Sequence, residues 1–448
     1  MMPRIRMKIL ALSLLFFLVG GRSQASDNTT LLSQLSVGVD ACTETLHKEG
    51  NLVAIARRHD GCAIIDVANP TNPILLANVN PDPTTIDIWD VNIHNGYLYL
   101  MNRPEGVDTN LGNWVGVYIY DLATPNAPVH VGQLLWGGGA WYHLAGSVSA
   151  GTVADIGGTP YAFLCSDITS SVEVFDMTTP ASPVFVTSIY RPEPFATCSN
   201  VAVNGDYLYT AWGDGGFTIH DMSVPLLPYL EAHQVYTGPP VINGGLRTIS
   251  PTPDGTHVVT GEYTNSGTVR LWDVSNFGAI TEEATWALGS GALLWTVQTT
   301  DDYAFVAHLE DGVQILDIRN RTQLNLVACF DETSGSPSGV WSGIADIEID
   351  GTTVYASHQT LGLLIFEFGD QVNVTKAEWK RRRKELKVWA TSSAQDNTTL
   401  EVIGYGVMSW NRKKKRHELK IRNVNSNPGT VYVVSDLNGT DQRVVRVR

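Results

Sequence analysis

Beyond its first two dozen residues the chain has no apolar run approaching the ~20 residues that a membrane-spanning helix needs. Charge is sparse as well, at 17% of 448 residues, while 43% are hydrophobic, a balance that excludes a disordered or fibrous chain and leaves enough apolar side chain for a sizeable core. Catalytic signatures are missing too. There is no Gly-x-Ser-x-Gly elbow, no phosphate-binding glycine loop, no dinucleotide fingerprint and no His-Glu-x-x-His. None of the 11 histidines has a partner at metal-ligand spacing, so neither a metal nor a cofactor is expected. An enzyme would have to assemble its site from scattered residues.

Basic residues are scarce everywhere except at the two ends. The opening "MMPRIRMKILALSLLFFLVGGRSQAS" has a basic start, an apolar run from Ile9 to Val19 and Ser23-x-Ala25, the pattern of a secretory signal peptide over residues 1–25. From Thr375 to Arg448 there are 17 Lys+Arg and 7 Asp+Glu, a net of +10, which leaves −25 upstream against −15 for the whole chain. An acidic body with a basic tail predicts two units with different partners. Five cysteines, Cys42, Cys62, Cys165, Cys198 and Cys329, enter an oxidising compartment if the chain is exported, and an odd number leaves at least one unpaired within the chain.

What the sequence has in abundance is one sentence repeated. "GCAIIDVANPTNPILLANV" from Gly61 returns as "GVYIYDLATPNAPVHVGQL" from Gly116, "SVEVFDMTTPASPVFVTSI" from Ser171 and "GFTIHDMSVPLLPYLEAHQ" from Gly216. Fainter copies begin at Gly267, Gly312 and Gly362. Each is preceded by two further β-rich runs separated by Asn-Gly, Asp-Gly or Gly-Asp turns, so the unit is a four-stranded meander. The recurring Asp, at Asp66, Asp121, Asp176, Asp221, Asp273 and Asp317, builds the turn by accepting backbone amides just beyond it. Seven such units predict an all-β seven-bladed β-propeller over residues 26–370, since radial repetition protects the sheet edges. The seventh unit, ending "LLIFEF", lacks an outer strand of its own. The early "LLSQLSVG" from Leu31 is expected to supply it, with "QVNVT" from Gln371 as the competing choice.

These residues resemble the LVIVD repeat of secreted bacterial and archaeal proteins, strongly over the first four units and more weakly over the last three. The resemblance implies a propeller outside the cytoplasm and brings no shared catalytic set with it.

Long irregular loops, such as "MNRPEGVDTNLGNWVG" and "DETSGSPSGVWSG", fall at one end of the predicted blades, which assigns ligand binding to that face. Two sets of polar side chains are expected around its opening. Innermost strands contribute Asp90, Asn200, Thr296 and Asp346; the ends of second strands contribute Arg57, Asn102, Ser166, Trp212, Glu262, His308 and His358. Trp295 and Trp341 join them from connecting loops, together making a concave, acidic, aromatic surface suited to a carbohydrate, a cationic ligand, or a peptide or protein. The alternative is that the polar groups solvate an axial channel and the tryptophans pack between blades. Glu262, His308 and His358 would carry a hydrolase or lyase reading, metal-dependent or not. Cys165 and Cys198 fall at the same end of adjacent blades and are expected to pair. Cys42 and Cys62 lie two strands apart, at ~9–10 Å by strand spacing, beyond normal bridging distance.

After Asp370 the pattern shortens to about six strands, predicting a small immunoglobulin-like β-sandwich over residues 371–448. Its basic blocks "KRRRK" and "RKKKR" fall at hairpin tips, suited to an acidic polymer or to the acidic body of the same chain. The expectation is a monomeric, exported, non-catalytic binding protein held at a surface by its tail.

Overall fold

The computed structural model describes residues 28–38, 43–81, 86–103, 114–136, 148–166, 170–193, 196–236, 245–264, 266–289, 293–330, 343–395 and 398–448. Among them, seven antiparallel sheets of four strands repeat in the manner of a β-propeller. The innermost strands are Leu46–Glu49, Ile88–His94, Val148–Ile156, Asn200–Asn204, Leu246–Pro251, Leu294–Thr299 and Ile344–Asp350. In the first six sheets the four strands follow one another in sequence. In the seventh the outer position is taken by Thr29–Leu35, paired antiparallel to Gly362–Phe368 with Thr29 opposite Phe368 and Leu35 opposite Leu363. The residues around Gln371 instead begin Asn373–Lys380, a strand of the tail.

Strand periodicity explains the packing. Along Cys62–Asp66, Cys62 and Ile64 face the second sheet's cluster, with Ile88, Leu98 and Leu100, while Ala63 and Ile65 face a cluster with Tyr355, Leu363 and Ile365 of the seventh. Alternate residues of one strand thus feed two different cores. Seven apolar clusters follow this scheme, each shared by two consecutive sheets, the last joining seventh to first. Because both faces are buried, the second and third strands read as near-continuous hydrophobic runs.

The repeated Asp has one job in six sheets. Asp66, Asp121, Asp176, Asp221, Asp273 and Asp317 each accept, through Oδ1, the backbone amide two residues on, at 2.7 to 2.9 Å. The glycine that opens the third strand is just as constrained. At Gly362, with φ 88°, a Cβ would stand 2.4 Å from the Leu35 carbonyl oxygen, so only glycine admits the N-terminal strand alongside.

The tail forms a five-stranded and a four-stranded sheet around its own core, which includes Trp379, Leu386, Val388, Leu400 and Val433. It meets the body through an apolar contact and a few hydrogen bonds. Ala394 and Leu437 are buried in the cluster that also holds Tyr303, Phe305 and Phe368. The Asp436 carbonyl accepts from Tyr303 Oη at 2.9 Å and Arg319 Nη1 at 2.8 Å, and Asp370 Oδ1 accepts from the Ser392 and Ser393 hydroxyls. The basic turns take no part in this joint. Strand pairing puts them at opposite ends of the larger sheet: Arg381–Lys384 caps one end, and residues 412–415 lie beyond the other.

Candidate functional site

The innermost strands of all seven sheets line one cavity of about 340 Å³. Side chains enter it in alternation, as period-two strands require. In the second and seventh sheets the third residue of the strand is Asp90 or Asp346 and the fifth is Asn92 or Glu348; in the sixth they are Thr296 and Gln298. In five of the sheets a register shift against the neighbouring strand falls just before this third residue, at Ile88/Asp90, Val148/Ala150, Leu246/Thr248, Leu294/Thr296 and Ile344/Asp346. Such a bulge re-aims the side chain that follows.

The same side chains tie most of the sheets to the next. Asp346 Oδ2 accepts from Leu46 N at 3.0 Å, Asp90 Oδ2 from Gly151 N at 2.8 Å, Asn200 Oδ1 from Ile249 N at 3.2 Å, and Thr248 Oγ1 from Val297 N at 3.3 Å. Thr45 donates to the Trp89 carbonyl, and His47 Nδ1 accepts from Ile93 N. Inner strands that would otherwise present unpaired amides to the channel are therefore satisfied by a belt of side chains.

Burial controls the charge here. It raises Asp90 to about 6, against the amide of Gly151, and Glu348 to about 7, against a hydrogen bond from Gln298. Asp346 stands well above the usual carboxylate range, first from burial and further from the charges of Glu348 and Asp90. His47, 3.9 Å from Glu348, is held neutral by burial, with its pKa lowered to about 4. At the strand-start end Trp295 carries the guanidinium of Arg247 over its ring at 4.0 Å. In short, the cavity is a polar, acceptor-rich tube with one aromatic wall.

The set expected from second-strand ends sits where predicted along the chain and faces elsewhere. Trp212 is fully buried among Phe163, Cys165 and Met222, its Nε1 donating to Thr218 Oγ1. Arg57 donates to the carbonyls of Val37 and Asp60, and Asn102 accepts the amide of Asp87. Glu262 receives Arg270 Nε and Tyr236 Oη. His308 contacts the Gly267 carbonyl, and His358 Nδ1 accepts the amides of Thr360 and Leu361. Burial lowers both imidazoles to about 4. Glu262, His308 and His358 thus each serve a separate local structure, and no three His, Cys, Asp or Glu side chains among the described residues stand close enough to hold a metal.

Trp341, Cys42 and most of the long loops lie outside the described residues. Cys165 and Cys198 are bonded, with Cα atoms 5.4 Å apart, joining the third sheet to the fourth. Glu348, Asn92, His47, Gln298 and Arg247 were missed by sequence reasoning. The signal was available: "DIWDVNIH" and "ADIEID" place a polar residue at every second position of an innermost strand.

Three segments, residues 46–81, 197–232 and 295–332, match the family described as LVIVD repeat. They cover the first, fourth and sixth sheets. The second and third, expected among the strongest, are not matched. No curated protein matches the chain. The chain is similar in fold to a solved structure titled "Structure of U3-55K", with a TM-score of 0.51 at 14% identity over 78% of this chain and 100% of that one.

Proposed function

We propose that this is an exported, non-catalytic binding protein, a seven-bladed propeller closed by its N-terminal strand, that takes a protein or carbohydrate ligand at the loop-bearing mouth of its channel. Closure is supported by the pairing of Thr29–Leu35 in the seventh sheet and by the apolar cluster shared between seventh and first. The observation that carries the binding site is the cavity itself, polar, reached from all seven inner strands and walled by Trp295. The tail is read as an immunoglobulin-like β-sandwich over residues 371–448 that aids retention at an acidic surface. Supporting this, its cations at Arg381–Lys384 and Lys413–Lys415 are exposed and stand clear of the joint to the body.

The test is a glycan and peptide array probed with the intact chain and with the Trp295→Ala and Asn200→Ala variants. Binding that survives both substitutions unchanged removes the channel mouth from the proposal. For the tail, retention on cells that does not weaken with rising salt removes the electrostatic role, because exposed charge is screened over about 10 Å at 0.1 M.

A further inference from the structure

The channel's chemistry is lopsided in a way that names a ligand class. Asp90, Asp346 and Glu348 come from the second and seventh sheets on either side of the first, close enough for Asp90 to raise the pKa of both others and for Glu348 to raise that of Asp346. Beside them Asn92, 3% exposed and lining the cavity, leaves its Oδ1 with no hydrogen-bond partner. A buried acceptor left unpaired is costly, and this one belongs to a cavity-lining residue two places along the strand from Asp90. The carboxyl groups are too far apart to converge on one metal ion. What would satisfy them together is a body with several N–H donors spread along its length.

We propose that the channel binds a small organic cation carrying ammonium groups at both ends, one donating to Glu348 and Asn92 Oδ1, the other to Asp90 or Asp346. This rests on the reading of the channel as a ligand site. A cavity of about 340 Å³ has room for a short alkyl diamine. Of the other titratable groups facing the site, His47 is neutral, Lys48 favours the ionised form of Glu348 but is itself paired with Asp350 at 2.7 Å, and Arg247 lies on Trp295 at the strand-start end. Cation binding favours the ionised carboxylates, so Glu348 and Asp90 release protons and affinity rises with pH from about 5.5 to about 8.

The test is calorimetric titration of the full chain with putrescine and with butanediol, its neutral counterpart, at both ends of that range. Putrescine is expected to bind and butanediol not, with putrescine about tenfold weaker at the acid end, the effect of one lost charge contact. Glu348→Gln is expected to weaken putrescine by about tenfold at the alkaline end while leaving the melting temperature at or above that of the parent. Equal binding of the diol, affinity that is flat in pH, or no binding of either compound overturns the proposal. None of the three needs a variant, so they stand even if Glu348→Gln misfolds. Absent putrescine binding combined with a Trp295-dependent hit on the glycan and peptide array sinks the diamine alone and leaves the binding reading in place.

Discussion

Asp346 and His358 belong to the same sheet, on adjacent strands, with His358 opposite Ile344 only two residues from Asp346. Asp346 reaches across to the amide of Leu46 and borders the cavity. His358 turns into its own loop and accepts two amides there. The comparison extends around the repeat: innermost strands offer polar groups to the channel and to the neighbouring sheet, while second strands, paired on both sides, end in residues that are 0 to 6% exposed. A strand with a free edge needs side chains to satisfy its amides; a strand between two others does not. Its terminal residue is left to close a turn or fill the core.

The largest test of this contrast is Trp212→Ala against Trp295→Ala. Removing Trp212, fully buried with its Nε1 bonded, is expected to cost about 3–5 kcal/mol in chemical denaturation. Trp295→Ala, half-buried at the cavity wall, is expected to change stability by less than about 1 kcal/mol and to act on binding. Equal losses would erase the distinction.

Reducing the Cys165–Cys198 bond, which closes a loop with a sequence separation of 33, is expected to remove about 3–4 kcal/mol by restoring chain entropy to the unfolded state. A melting curve with and without reductant reads it.

Titration separates the two sets by sign. His308 and His358 are neutral in the fold, with pKa values lowered to about 4, so the stability they carry is present above pH 6.5 and is lost as pH falls through 4. Asp90 and Glu348 are raised, so theirs is present below the ordinary carboxylate range and is lost as pH rises through about 6 to 7. Melting temperatures of His308→Gln should fall less steeply than the parent's on acidification. Those of Glu348→Gln should hold up better on going from mildly acid to alkaline pH.

Smaller still is Asp346→Ala, which strands the Leu46 amide at the seam between seventh and first sheets and should cost about 1–3 kcal/mol. The smallest is Asp121→Ala, an exposed turn bond of 2.7 Å, at about 1 kcal/mol. If Asp121→Ala proves as damaging as Asp346→Ala, the inner belt is no more than ordinary surface bonding.

Much of this was legible in the chain. The Asp turns and the glycine that precedes or opens most of the third strands follow from local spacing, because turns and period-two strands are decided by neighbours in sequence. Where Trp212 and His308 would point was not legible. Both stand at strand ends beside loops, as a binding residue would, and only the packing of one sheet on the next turned them inward.

The tail shows the same division. Its basic turns at Arg381–Lys384 and residues 412–415 were evident as blocks of charge, but strand order put them at opposite ends of one sheet, and Leu437, unremarkable in sequence, became the plug between tail and body. Sequence alone determined what is repeated: strand, turn, glycine and aspartate, each governed by residues a few places away. Which polar side chains meet, which are buried, and that carboxyl groups more than 250 residues apart share one cavity were decided only by tertiary structure. Those relations arise where distant strands are brought side by side, and no local pattern encodes the distance between them.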